Sequence, residues 1–214
     1  MQSETCRLYL ITPPSIVVAD FTEALARALD AGDVACVQLR LKEAADDDIR
    51  RAAEALLAVT ATRDTVLLMN DRPDLARETG CDGVHVGQED ATYEVARQTV
   101  GADAVVGVTC HGSRDLAIEA AAKGADYVAF GAFYATDTKE AKASAAPDIL
   151  AWWSEMTTVP SVAIGGITPA NCPPLVRAGT DFLAVVAAIW NHPDGPAAAV
   201  KAFEKAIAEA PDAG

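Results

Sequence analysis

Gly165-Gly166-Ile167, followed downstream by Phe182-Leu183-Ala184-Val185-Val186-Ala187, is the stretch whose reading decides the fold. Each piece reads as the end of a buried apolar strand that opens into a backbone-rich turn. Main-chain amides at such turns can hold a phosphate without a cationic side chain. In a (β/α)8 barrel, the loops after the seventh and eighth strands are the usual place for that site. The reading therefore requires six more strand–helix units upstream.

Short apolar runs meet that requirement. They lie near Leu8–Ile11, Ala35–Arg40, Val66–Met69, Gly83–Val86, Ala104–Val108, Tyr127–Gly131, Ser161–Ile164 and Phe182–Val186. They are continuous more than alternating, as strands buried on both faces of a parallel sheet should be. Helical stretches separate them: from Asp20 to Gly32, from Asp46 to Val59, from Ser113 through Lys123 to a stop at Gly124, and from Pro196 to Ala208. Thr168-Pro169 is expected to open another helix, with a hydroxyl cap and a proline in its first turn. The alternation predicts an α/β fold, a (β/α)8 barrel, with residues 1–214 forming one domain. A doubly wound open sheet is the alternative. The absence of G-x-G-x-x-G after the first strand counts against its dinucleotide-binding form. On this reading the repetition is structural, without a visible sequence repeat.

Composition narrows the function. Apolar residues make up 51% of the chain and charged ones 22%, enough for a sizeable core. A net charge of −14 argues against a nucleic-acid partner or an anionic membrane surface. The five cysteines are scattered, without a C-x-x-C pair, which reads as reduced thiols and a cytoplasmic location. No basic, apolar leader or membrane span is read in the chain. The sequence leaves a homo-oligomer open.

In a barrel, chemistry gathers at the C-terminal ends of the strands. Gln38-Leu39-Arg40-Leu41-Lys42 ends the second, and alternation places Gln38, Arg40 and Lys42 on one side. These are otherwise ordinary surface charges at a strand end. Met69-Asn70-Asp71-Arg72 ends the third strand, and the fourth runs through Val84-His85-Val86-Gly87-Gln88-Glu89-Asp90. Neighbouring strands lie about 4.8 Å apart, so Asp71 and Asp90 could share a hard cation such as Mg2+. Alternatively, Asp90 caps the helix after it. His85, inside an apolar strand, reads as a hydrogen-bonded structural residue. Cys110 and His111 should point opposite ways and are not a nucleophile pair. Thr109 offers a hydroxyl at the fifth strand's end. Thr136-Asp137-Thr138-Lys139 places two hydroxyls and an ammonium after the sixth. Trp152 and Trp153 read as packing residues.

These segments, in this order, resemble the thiamine phosphate synthases over nearly the whole chain. The carriers are Leu8-Tyr9-Leu10-Ile11-Thr12, Gln38-Leu39-Arg40 with Lys42, Asn70-Asp71-Arg72, Gly83 to Asp90, Thr136 to Lys139, Ala163 to Ile167, and Ala184-Val185-Val186. The resemblance implies a (β/α)8 barrel that joins 4-amino-2-methyl-5-(diphosphooxymethyl)pyrimidine to a thiazole phosphate. Pyrophosphate leaves and thiamine phosphate forms. It further implies that Gln38, Leu39, Arg40, Leu41, Lys42, Asn70, Thr109 and Lys139 hold the pyrimidine diphosphate. Asp71 and Asp90 would bind Mg2+, and Thr136, Asp137, Thr138, Gly166, Val186 and Ala187 would hold the thiazole phosphate. Lys139, Thr109 and Arg40 are the residues expected to act in catalysis. The partners are small phosphorylated molecules.

The chain departs from the family pattern in four places. Pro13-Pro14 follows Thr12 where an aspartate is usual, Thr109 stands where serine is common, and Ala187 replaces a usual serine. The segment after Lys139 is rich in alanine and lysine instead of glycine and proline. Two rivals share the site: a thiazole tautomerase, and a non-catalytic binder of thiazole or thiamine phosphates. The retained Asp71, Asp90, Lys42 and Lys139 favour the synthase.

Overall fold

The structure is a computed structural model that describes residues 6–135 and 145–210. Parallel strands and helices alternate: β1 (Arg7–Ile11), α1 (Val18–Leu29), β2 (Val34–Leu39), α2 (Asp46–Thr60), β3 (Val66–Asn70), α3 (Pro73–Thr79), β4 (Gly83–Val86), α4 (Tyr93–Val100), β5 (Val105–His111), α5 (Arg114–Lys123), β6 (Tyr127–Gly131), α6 (Asp148–Met156), β7 (Ser161–Ile164), α7 (Pro173–Arg177), β8 (Phe182–Val185), α8 (Ala187–Trp190) and α9 (Pro196–Ala208). The strands pair in sequence order and β8 closes on β1, so the sheet is a (β/α)8 barrel.

Alternation along each strand splits the core in two. Leu8, Leu10, Val37, Leu67, Met69, Val84, Val106, Phe130 and Leu183 face the helices and form the larger cluster. Tyr9, Ile11, Cys36, Leu68, Tyr127, Ala129, Val162 and Ala184 form a second cluster among the strands. Two packed sides explain why the strands carry so few polar residues. Among the described residues, no helix is long and apolar enough to cross a membrane.

The helix expected at Thr168 starts later. Asn171 takes the Thr168 amide on its side-chain oxygen at 2.7 Å and donates to the Gly166 carbonyl at 2.9 Å, so residues 168–171 form a turn. Proline lacks an amide proton. The helix accordingly begins at Pro173, where the missing donor is harmless.

A repeat missed in the sequence becomes visible at the opposite end of the barrel. Gly80-Cys81-Asp82, Gly124-Ala125-Asp126 and Gly179-Thr180-Asp181 precede β4, β6 and β8. All three glycines have positive φ, the conformation that turns the chain out of a helix without a Cβ clash. Each aspartate then clasps one residue of the preceding strand. Its carboxylate accepts the amide of Leu67, Val106 or Ser161, at 2.7 Å in every case. Its own amide donates to the carbonyl of the same residue. Before β2 the motif is one residue shorter, and Asp33 instead pairs with the Arg7 guanidinium.

Replacing Asp126 with alanine strands the buried Val106 amide and removes one partner of the Arg97 guanidinium, which keeps the Gly101 and Ala104 carbonyls. We expect Asp126→Ala to cost about 1–3 kcal/mol in urea unfolding, and Asp33→Ala, whose ion pair is exposed, less than about 1 kcal/mol.

Candidate functional site

The C-terminal strand ends gather most of the sequence-predicted residues into one mouth. At the end of β2 Gln38 is buried among the strands, and just beyond it Arg40 is half-buried and Lys42 is exposed. Leu39 points the other way, into the shell against the helices, and only its main chain faces the mouth. The loop beyond β2 is splinted by the segment that departs from the family pattern. Thr12 Oγ1 accepts the Arg40 amide at 2.9 Å, the Thr12 amide donates to the Gln38 carbonyl at 3.0 Å, and Pro14 accepts the Lys42 amide at 2.9 Å. Pro13-Pro14 thus supports the backbone of residues 40–42 from β1.

Asp71 and Asp90 face each other at the ends of β3 and β4. Asp71 takes positive φ, and its amide donates to the His85 carbonyl at 2.8 Å. Asn70 Nδ2 donates to its carboxylate at 2.5 Å. Asp90 accepts the Gly87 amide at 3.0 Å, closing a tight turn. The cap of α4 is Thr92, which accepts the Val95 amide. Burial pushes the Asp71 carboxyl up to about 6; the hydrogen bond and charge of Asp90 push the same way, and Asn70 and Arg40 oppose it. Two carboxylates held together, Asp71 half-buried and Asp90 exposed, suit a divalent cation that keeps waters and a substrate phosphate as its other ligands. Among the described residues no group of three or more His, Cys, Asp or Glu offers a fuller metal cage.

Thr109 sits at the end of β5. Its hydroxyl meets His85 Nε2 at 2.7 Å, and its carbonyl accepts from Gln88 Nε2 at 2.5 Å. His85 is hydrogen-bonded at both ring nitrogens, the other contact being Tyr127 Oη at 2.8 Å. Burial pushes its pKa down to about 4 and keeps the ring neutral near pH 7. Cys110 is fully buried, and burial pushes its thiol up to about 12, while His111 is exposed. This chain therefore presents no cysteine–histidine nucleophile there. Trp153 is buried with its indole donating to the Val159 carbonyl, and Trp152 stacks under Arg114, so both pack.

On the far side, the loops after β6 and β7 are joined. The Phe133 and Tyr134 amides donate to the Ile164 and Gly165 carbonyls, both at 3.1 Å. A Cβ on Gly166 would lie 2.3 Å from the Ala135 carbonyl oxygen, and its φ is +62°. Only glycine fits there. Ala187 opens α8, whose Trp190 indole donates to the Ile11 carbonyl at 2.7 Å and packs on Phe21. The Val186-Ala187 turn is thereby tied to the end of β1. Thr136, Asp137, Thr138 and Lys139 lie outside the described residues.

Sequence reasoning passed over Tyr9, Tyr127, Thr12 and Asn171. The only signal was a hydroxyl at an inward position of an apolar strand, twice. A shallow hollow of 330 Å3 lined by Leu57, Thr60, Arg63 and Val66 opens at the opposite end, by the start of β3. It groups no such chemistry.

The raised Asp71 carboxyl sets a pH signature. Its folded pKa of about 6 exceeds the ordinary 3.8, so the folded state binds the proton more tightly. Stability then falls as pH rises from about 4 to about 6, and the cost is complete above that range. Without divalent cations, Asp71→Asn is expected to be more stable than the native chain near pH 7.5, by about 1 kcal/mol, with no difference below about pH 4. Urea unfolding across that range reads it.

Comparison with known proteins supplies the family. The profile of the family described as thiamine monophosphate synthase matches residues 8–189. A thiamine-phosphate synthase of Rhodospirillum centenum is 62% identical over 202 residues, spanning 94% of this chain and 98% of that one. One from Hyphomonas neptunium is 50% identical, spanning 92% and 91%. Among solved structures, the thiamine phosphate pyrophosphorylase of Pyrococcus furiosus superposes with a TM-score of 0.83 at 29% identity, covering 98% of this chain and 99% of that one. Orotidine 5'-phosphate decarboxylase of Pyrococcus horikoshii, at 12% identity and a TM-score of 0.67, shares the fold alone. The chain belongs to the thiamine monophosphate synthase family.

Proposed function

We propose that this chain, a single barrel domain, joins the pyrimidine diphosphate to the thiazole phosphate, releasing pyrophosphate. The observation that carries the reading is the facing Asp71–Asp90 pair beside Arg40 at one mouth, inside a chain of this family. The expected chemistry needs no protein nucleophile. The C–O bond to diphosphate breaks, the electron pair leaves with the diphosphate, and the aminopyrimidine ring spreads the resulting positive charge. The thiazole nitrogen then donates its lone pair to the methylene carbon. What the protein must supply is charge for the leaving group and a fixed position for the acceptor.

The residues divide between those tasks. Arg40, Lys42 and Lys139 supply positive charge to the diphosphate, Asn70 and Thr109 supply hydrogen-bond donors, and Gln38, Leu39 and Leu41 frame the pyrimidine. Asp71 and Asp90 would hold Mg2+, which when bound neutralises part of the diphosphate charge. Gly166, the Val186-Ala187 turn and Thr136, Asp137 and Thr138 would take the thiazole phosphate. The first amides of α8 precede its first internal bond, from the Ile189 amide to the Val186 carbonyl, so they can serve an anion although Ala187 lacks a hydroxyl. Reduced thiols and the acidic surface accord with a cytoplasmic setting and small phosphorylated partners, while a homo-oligomer stays open.

Purified chain given both substrates is expected to form thiamine phosphate only with Mg2+ present. Product without the metal would remove the role given to Asp71 and Asp90. Binding of thiazole phosphate without any product would favour the tautomerase or the binder. Lys139→Ala is expected to lower kcat by about a hundredfold or more, with urea unfolding unchanged; equal loss of both would make Lys139 structural.

A further inference from the structure

Beneath the mouth, five polar side chains form an unbroken line through the barrel. Gln38 Nε2 lies 2.8 Å from Tyr9 Oη, Tyr9 Oη 2.9 Å from Tyr127 Oη, Tyr127 Oη 2.8 Å from His85 Nδ1, and His85 Nε2 2.7 Å from Thr109 Oγ1. A hydroxyl has one proton to give, and a neutral imidazole has one donor and one acceptor nitrogen. The direction of one bond therefore fixes the next.

The amide nitrogen of Gln38 can only donate, so Tyr9 accepts from it. The Tyr9 proton then goes to Tyr127. Its other polar neighbour, Cys36, is a thiol that burial keeps protonated, and a weak acceptor. Tyr127 has accepted, so its proton goes to His85 Nδ1. The neutral ring must then carry its proton on Nε2 and donate to Thr109. Having accepted there, Thr109 has its own proton left for the mouth.

We propose that Tyr9, Tyr127 and His85 are positioning residues that carry a fixed hydrogen-bond direction from Gln38 to Thr109 and set the Thr109 hydroxyl as a donor toward an anionic substrate group. The reversed order would leave Thr109 with only lone pairs for the mouth, repelling a phosphate oxygen. The packing is built around the line. A Cβ on Gly107 would lie 1.9 Å from Tyr127 Cζ, so that glycine makes the room in which the ring stands. The Tyr127 ring stacks on His85 and meets Tyr9 edge-on, which limits both hydroxyls to their present partners. The identity of the anion rests on the synthase reading; the direction of the line does not.

NMR of the imidazole nitrogens in the full chain, near neutral pH and without substrate, reads that direction. The His85 signal, assigned among the three histidines by its loss in His85→Gln, is expected to show a proton on Nε2 and a bare Nδ1. A proton on Nδ1, or on both nitrogens, would overturn the proposal. Tyr127→Phe keeps the ring and removes the proton offered to Nδ1. It should mix the two tautomers and lower kcat about tenfold, with KM for the pyrimidine diphosphate little changed. Tyr9→Phe should do the same more weakly. An unmixed tautomer with unchanged kcat in both variants would overturn the proposal. A wild-type chain that makes no thiamine phosphate would sink the synthase reading, and the tautomer would still decide the direction of the line.

Discussion

A buried polar group without a partner costs about 1–3 kcal/mol, and this barrel encloses several polar side chains. Tyr9, Tyr127, Gln38 and His85 are each 9% exposed or less. They are tolerable only because they satisfy one another across β1, β2, β4 and β6, and the sheet must close for those strands to face each other. The site above inherits its floor from that closure. Arg40, Asn70 and Thr109 project from strands whose inner faces are already locked.

The two ends of the barrel are built by different rules. At the start of the even strands β4, β6 and β8, an aspartate clasps the preceding strand by both its amide and its carboxylate. That end spends its carboxylates on main-chain amides and gains register. At the other end, Asp71 is held against Asp90, and burial first, then that neighbour, raises its carboxyl. Stabilising devices and a raised carboxyl thus occupy opposite rims of one sheet, in keeping with a barrel whose C-terminal rim is kept for chemistry.

Much of this was legible in the chain. The strands read clearly because burial on both sides leaves an uninterrupted apolar run, and β4, β6 and β7 fall on the residues expected. Asp71 and Asp90 could be paired because neighbouring strands have a fixed spacing. What escaped reading was contact across the barrel. Tyr9 and Tyr127 are 118 residues apart, and nothing in either strand announces the other. The glycine–aspartate repeat was hidden by its brevity and by the shorter version before β2. Residues 168–171 form a turn where Thr-Pro signals a helix, because the Asn171 side chain satisfies the Thr168 amide locally.

The seam between the loops after β6 and β7 has a consequence for anyone who would alter this barrel. Residues 133–134 and 164–165 share main-chain bonds, Tyr134 donates to the Asn171 carbonyl, and Asn171 in turn fixes Gly166 and Thr168. Neither segment can change length or shape without unseating the other. They form one cassette. A graft that brings a new acceptor into this scaffold must transplant both segments together, and a recombinant crossover placed between β6 and β7 would join halves whose loops were never fitted to one another.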